Sequence, residues 1–299
     1  MHAMYEIILQ GAGWDEGWRL LQHIGANVRN FSGGGTQVGK DISTGEVVYG
    51  LAIDTYASDI IARVGSERIG FVVPQDFTAF NGDGIAVLKG APHHALARSF
   101  VEFVLSEKGQ RLFYAAKGSP GGPVEYDLGK LPVLPSLYGN TPTNSVVTQS
   151  PFTWKGVVKY DAALAASRWN LVNDLFGVFI MDLHERLVLH ARQHRSSLSS
   201  GLELEFPPIP FSARQSQELI LQGRWGSDPA ERSSALRAWA ESARLALPAP
   251  SGTFASLRAI PAVGFAFVLS LAVVRRWLRR LARVSVSRFH RECGRCRWF

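Results

Sequence analysis

The residues best suited to chemistry in this sequence are a carboxylate and a phenol separated by one threonine, Asp54 and Tyr56. They directly follow the apolar run at 47–53, which is predicted to be a strand of a sheet core. Ligands of open α/β sheets bind beyond the carboxyl ends of the strands, where these side chains would lie. Carboxylate and phenol oxygens also suit a hard cation such as ferric iron. In the structural alternative, Asp54 caps the start of a helix.

A glycine-rich turn with the sequence FSGGGT, residues 31–36, leads into a predicted helix. Backbone amides flanked by hydroxyl groups can bind an anion or an oxygen ligand, and here they would involve Ser32 and Gly33. A loop in which Ser32 or Thr36 caps the helix accounts for the same residues equally well.

A second glycine-rich turn, residues 11–17 with the sequence GAGWDEG, follows a predicted strand at 5–10 and opens a predicted helix. This is the context of a dinucleotide-binding loop, and it supports a nucleotide-dependent oxidoreductase as an alternative function. However, Asp15 and Glu16 would repel phosphate at the helix start. No acidic residue lies between Glu16 and Asp41 to bind a ribose hydroxyl. A plain strand-to-helix turn is therefore the favoured interpretation.

Histidines and cysteines give weaker patterns. His184, His190 and His194 share one predicted helix, but this helix lacks the intervening Glu of a zinc protease, and a solvated helical face is favoured. Cys293 and Cys296 are the two cysteines of the chain, so the body has no disulfide framework. There is no GxSxG elbow to nominate a nucleophile. No catalytic residue is predicted.

The positive charge of the chain lies at its end. Residues 275–299 hold 9 Arg and one acid, whereas residues 1–160 carry a net charge of −1 and residues 161–274 a net charge of zero. Nucleic-acid binding needs basic residues spread along a folded face. A nucleic acid is therefore excluded as a partner.

The two termini bear on localisation. Residues 259–274 are uncharged and are followed at once by arginines, so the segment 259–278 is predicted to associate with a membrane. A buried or interfacial helix is the alternative, and a membrane-tethered interaction protein is a further functional reading. The first residues show no charged leader or cleavage site, so no signal peptide is visible.

Periodicity predicts alternating strands and helices. The expected strands are residues 5–10, 47–53, 69–73 and 85–88, and the expected helices are residues 14–24, 37–43, 58–64, 94–105 and 107–115. This order predicts an α/β domain with helix-covered sheets. Residues 162–193 are predicted to be one long helix, and residues 213–247 one or two more.

Two segments resemble a known family. The stretch from 30 to 54, which contains NFS and STGEVVYGLAID, and the stretch LKGAPHHALARSFVEFVLSEKGQ at 88–110 resemble the extracellular solute-binding proteins of ABC transporters. The similarity is to the type 2, ferric-iron-binding subgroup and covers about residues 4–135. The resemblance implies two α/β lobes that close on a solute, delivery to a membrane permease, a periplasmic or extracytoplasmic location, no catalysis and no cofactor.

The resemblance also assigns residues. Ser32 and Gly33 match the oxygen-rich loop of the family, and Tyr56 matches the second of its paired tyrosines. Thr55 stands where the first tyrosine is expected, which leaves Asp54 and Tyr56 as the expected contacts of iron(III), another metal or a small ion. Asp54 and Tyr56 would donate oxygen ligands, and Ser32 and Gly33 hydrogen bonds.

The resemblance further implies an organisation into segments. The first half of lobe one would be absent ahead of the 5–10 strand, as in an N-terminally truncated binding protein. The expected segments are lobe two at 5–73 and the returning part of lobe one at 84–135, both within a solute-binding region 1–135, then a linker at 136–160, a helical extension at 161–250 and an apolar segment with an Arg-rich tail at 255–299.

Overall fold

A computed structural model of the chain describes residues 2–74, 76–80, 82–139, 145, 147, 150–194, 204–223 and 225–249. The chain divides into two compact units. Unit 1 comprises the described residues within 1–31, 74–79 and 156–249, and unit 2 those within 32–73 and 80–155. The lobe and linker boundaries expected from the resemblance stay predictions.

Helices account for the regular structure of the described residues. In chain order they are α1 (His2–Ala12), α2 (Trp14–Gly25), α3 (Gly35–Ser43), α4 (Asp54–Val64), α5 (His94–Leu105), α6 (Glu107–Tyr114), α7 (Ser136–Gly139), α8 (Ala162–Ser167), α9 (Trp169–Phe176), α10 (His184–Gln193), α11 (Ala213–Leu221) and α12 (Pro229–Leu245). A 3₁₀ turn covers Pro151–Thr153, and a π-helical turn covers Gly177–Met181.

Helix α1 replaces the strand predicted at 5–10, so that prediction is wrong. Tyr5 and Leu9, four residues apart, are both buried on one helical face. The Tyr5 ring stacks on Phe176 with ring centroids 3.8 Å apart, and burial raises the pKa of the Tyr5 phenol to about 12. A short apolar run fits a buried helix as well as a buried strand, and here packing selects the helix.

The glycine-rich turn at 11–17 is a corner between two helices. Gly13 joins α1 to α2 with a φ of 86°, a conformation that glycine adopts at little cost. A Cβ on Gly17 would lie 2.9 Å from the Cα of Leu9, so this glycine allows α2 to pack closely on α1. A helix, and not a strand, precedes this turn. The context expected for a dinucleotide loop is therefore not formed.

Unit 1 is built around one buried apolar cluster. Trp18 and Leu21 of α2 meet the second part of the unit, in which Val172, Leu175 and Ile180 are almost completely buried. The helix predicted at 14–24 is thus confirmed, with its apolar face in this core. The long helix predicted at 162–193 is instead divided into α8, α9, the π-helical turn and α10.

Unit 2 contains the helix pairs α3 with α4 and α5 with α6. A Cβ on Gly39 of α3 would lie 3.2 Å from the Cβ of Ile60 of α4, which shows how closely these helices approach. Ser106 caps α6 by accepting a hydrogen bond from the amide of Gly109. The helices predicted at 37–43, 58–64, 94–105 and 107–115 are confirmed, with α4 beginning earlier than expected.

The strands predicted at 47–53, 69–73 and 85–88 are not formed within the described residues. β-type pairing in the described part consists of two isolated bridges, Thr78 with Val157 in unit 1 and Ala115 with Ser145 in unit 2. Several apolar side chains of the three segments are exposed, including Val48 at 72% and Leu88 at 79%. A strand needs a hydrogen-bonding neighbour, which these segments lack here. The two-lobe α/β architecture stays a prediction.

Candidate functional site

The candidate site begins at the first turn of α4. Asp54 is the first residue of this helix, and the position before it is Ile53, which has no side-chain capping group. The reading of Asp54 as the helix cap is therefore wrong. A carboxylate in the first turn still interacts favourably with the positive end of the helix dipole. Asp54 is half-buried, and Tyr56 is 38% exposed.

The structure places Tyr56 against the glycine-rich turn. A Cβ built on Gly35 would overlap Cε2 of Tyr56, so the ring rests directly on the glycine backbone. Gly35 is the first residue of α3, and Gly34 stands at its cap without a side-chain hydrogen bond. Neither Ser32 nor Thr36 therefore caps α3. Because only hydrogen fits at position 35, the start of α3 and the start of α4 come together here.

Ser32 and Gly33 lie in the loop that precedes α3. Ser32 is half-buried, and Gly33 is exposed with no atom within 4 Å of a Cβ built on it. The contact between Gly35 and Tyr56 brings this loop to the same end of α4 as Asp54. Within the described residues, no hydrogen bond joins Ser32 or Gly33 to Asp54 or Tyr56. The loop backbone is therefore open to a ligand.

Tyr138 of α7 also belongs to this region, although its sequence position gave no reason to select it. Burial raises the pKa of its phenol, and the negative charge of Asp54 raises that pKa further. Its hydroxyl donates a hydrogen bond to the Pro132 carbonyl at 2.8 Å. The chain just before it packs on α4, because a Cβ on Gly129 would lie 3.3 Å from the Cβ of Ser58, one turn along from Asp54.

The Asp54 carboxylate has no hydrogen bond or ion pair with another described residue. Asp59, one turn further along α4, accepts a hydrogen bond from Arg63 at 3.1 Å. A half-buried carboxylate without a partner lowers the free energy of binding for a positively charged group beside it. The electrostatics at this end of α4 favour a cation.

Metal ligation at the site would rest on oxygen donors. The part of the chain that the structure describes holds no cluster of three or more His, Cys, Asp or Glu side chains placed around a metal ion. Asp54 and Tyr56 could each supply one oxygen, and a metal would need its remaining ligands from the loop backbone, water or a chelating anion.

The three helical histidines contact backbone carbonyls of unit 1. His184 Nε2 lies 2.9 Å from the Val28 oxygen, and His190 Nε2 lies 2.8 Å from the Glu205 oxygen. His194 Nδ1 lies 3.0 Å from the oxygen of His190. These rings position neighbouring segments and do not converge on a common point.

A buried polar cluster in unit 1 is structural. Glu6 is fully buried and accepts hydrogen bonds from Arg168, the shortest at 2.6 Å, and from Gln10 at 3.0 Å. His2 Nε2 lies 3.8 Å from the same carboxylate, and Arg168 lies over the Trp14 ring, 5.3 Å from its centroid. The carboxylate is saturated by the protein and leaves no room for a solute.

The C-terminal predictions concern residues outside the described part of the chain. The segment 259–278 and the pair Cys293 and Cys296 both lie there. Among the helices that the structure describes, none is long and apolar enough to cross a membrane.

Comparison with known proteins supports the resemblance. Residues 4–130, which include Ser32, Gly33, Asp54 and Tyr56, match the model of the bacterial extracellular solute-binding protein family. The phosphoglycerate transport regulatory proteins PgtC of Salmonella typhimurium and Salmonella typhi are each 30% identical to the chain over 161 residues. That alignment covers 53% of this chain and 37% of either relative, so the chain spans just over a third of their length. No solved structure matches. Residues 4–130 thus carry the sequence features of a bacterial extracellular solute-binding protein.

Proposed function

We propose that this chain is the solute-binding component of an ABC-type importer, which captures a small ion outside the cytoplasm and delivers it to a membrane permease. The family match over residues 4–130 supports the transport role. The observation that carries the choice of site is the packing of Tyr56 on Gly35, because it joins the glycine-rich loop to the unpaired carboxylate of Asp54. The chain has no catalytic step in this role.

The residues of the site have complementary tasks. Asp54 and Tyr56 donate oxygen ligands, and Ser32 and the Gly33 amide donate hydrogen bonds to the solute or to an anion bound with it. Iron(III), another metal and other small cations are the candidate solutes, since all of them would neutralise Asp54. Anchoring through residues 259–278 is part of the proposal and would keep the protein beside its permease.

Phosphoglycerate is a second candidate solute. It is the compound in the printed name of the two Salmonella relatives. The start of α3 has no acidic residue in its first turn and follows the open Gly33 and Gly34 amides, which suit a phosphate group. Asp54 opposes this candidate by charge, so the effect of neutralising Asp54 separates the two.

Titration calorimetry and intrinsic Trp fluorescence of the full chain test the proposal. The ligands are ferric citrate, divalent metals, polyamines and phosphoglycerate. For a cation we expect saturable binding that Asp54→Asn and Tyr56→Phe each weaken by about tenfold or more, because a lost hydrogen bond or ligand to a charged group costs about 1.5–3 kcal/mol. For phosphoglycerate we expect Asp54→Asn to strengthen binding.

Asp59→Asn is the matched control, since it neutralises a carboxylate of the same helix that already has a partner. It should leave affinity unchanged. The proposal fails if none of the ligands binds, or if Asp59→Asn changes affinity as much as Asp54→Asn.

A further inference from the structure

Four aromatic side chains of unit 2 form a connected group that the proposed function has not used. Phe80 contacts Phe152 and Trp154 edge to face, with ring centroids 5.6 Å and 6.3 Å apart. Tyr138 contacts Phe152 in the same manner at 5.8 Å. We call Phe80, Tyr138, Phe152 and Trp154 the aromatic cluster. Edge-to-face contacts of this kind hold the rings in fixed relative orientations.

Part of the aromatic cluster is open to solvent. Phe80 is 40% exposed and Phe152 is 44% exposed, whereas Tyr138 and Trp154 are half-buried. Phe152 lies in the 3₁₀ turn Pro151–Thr153, whose first residue, Pro151, is buried and fixes the turn. Exposed rings on a fixed turn are available to a ligand without a rearrangement of the backbone.

The aromatic cluster adjoins the proposed site through Tyr138. The charge of Asp54 acts on the Tyr138 phenol, and the chain leading to Tyr138 packs on Ser58, one turn from Asp54 along α4. A carboxylate without a partner among the described residues thus stands next to a group of aromatic rings.

Carboxylate and rings together select a chemical class of ligand. The face of an aromatic ring carries negative electrostatic potential and attracts cations, most effectively organic ammonium groups that are weakly hydrated. A hard metal ion prefers oxygen ligands and gains nothing from phenyl rings. An anion is repelled by the carboxylate and by the ring faces. Only an organic cation gains from both parts.

We propose that the solute of this site is an organic cation, an amine or a quaternary ammonium compound, which pairs with Asp54 and places its alkyl ammonium group against the aromatic cluster. This inference rests on the proposed function, because it names the class of solute for the same site.

Choline and its uncharged isostere 3,3-dimethyl-1-butanol test the inference on the full chain by calorimetry. We expect choline to bind at least about tenfold more tightly than the isostere, because only the charged ligand gains the carboxylate and ring-face attraction. Phe152→Ala should weaken choline binding by about tenfold, and Phe152→Tyr should restore it. Phe71→Ala is the control, since Phe71 is 42% exposed in the same unit but outside the aromatic cluster.

The outcomes separate this inference from the proposed function. Equal binding of choline and the isostere, or an unchanged affinity of Phe152→Ala, overturns the inference. Binding of ferric citrate or phosphoglycerate without binding of choline also overturns it and leaves the importer role in place. If none of these ligands binds, both proposals fall. Circular dichroism of each variant confirms that the fold is retained.

Discussion

Two carboxylates of this chain show how burial and partners distinguish a structural charge from a binding charge. Glu6 is fully buried and saturated by Arg168 and Gln10. Asp54 is half-buried and has no partner in the described part of the chain. The first carboxylate ties α1 to the start of α9, and the second is available to a solute.

Removal of Arg168 should reveal the structural role of the first carboxylate. Arg168→Ala leaves Glu6 charged and buried without its partner, and we expect a loss of about 3–5 kcal/mol in the free energy of unfolding, measured with urea. Arg98→Ala is the control, because the ion pair of Arg98 with Glu102 is exposed and should contribute about 1 kcal/mol at most. A similar small loss for both variants would contradict the assignment.

Local patterns predicted most of the binding residues. Asp54, Tyr56, Ser32 and Gly33 were selected because each stands at a turn or at an element boundary, where short-range sequence carries the signal. Tyr138 and Phe152 could not be selected in this way. They reach the region through tertiary packing of segments far apart in the chain, and a single aromatic residue in a polar stretch has no periodicity to mark it.

At the scale of elements, helices were predictable and strands were not. Helices α2, α3, α5 and α6 follow apolar residues spaced three or four apart, a property of each segment alone. A strand depends on a neighbour elsewhere in the chain, so an apolar run such as 47–53 does not fix its own state. The run at 5–10 shows the same limit, since it pairs with no strand and packs as α1.

Packing between elements can be tested at two glycines. A Cβ on Gly25 of α2 would lie 2.6 Å from Cγ2 of Ile180, so Gly25→Ala should lower the free energy of unfolding by about 1–3 kcal/mol. Gly177 is helical with a φ of −55° and has open space around its Cα. Gly177→Ala should therefore be neutral or should stabilise by about 0.5–1 kcal/mol. Urea denaturation of both variants checks this, and equal effects would contradict the packing described.

At the scale of the whole molecule, the buried apolar cluster lies in unit 1, whereas most exposed large apolar side chains of the described residues belong to unit 2. Leu96, Phe100 and Phe103 illustrate this, since they lie on one side of α5 and are 70%, 59% and 40% exposed. Burial of apolar surface is the main stabilising contribution to folding. Unit 2 is therefore expected to open locally at a lower free energy than unit 1.

Limited proteolysis with chymotrypsin measures this difference. Among the described residues, we expect the first cleavages near Tyr49, Leu51 and Phe71 in unit 2, with later cleavage at Leu171 and Leu175 in unit 1, followed by mass spectrometry of the fragments. Exposed backbone that opens at low cost is cut first. Equal rates at both sets of sites would show that the two units open together.

The π-helical turn at Gly177–Met181 carries a consequence for sequence comparison. The amide of Asp182 donates to the carbonyl of Gly177, five residues earlier, so this turn holds one more residue than an α-helical turn would. One residue advances an α-helix by about 100°. A relative that lacks a single residue here would present another side of α10 to the rest of unit 1, and Leu187 would leave its buried position. An alignment gap at 177–181 would therefore mark a change in side-chain register for everything that follows.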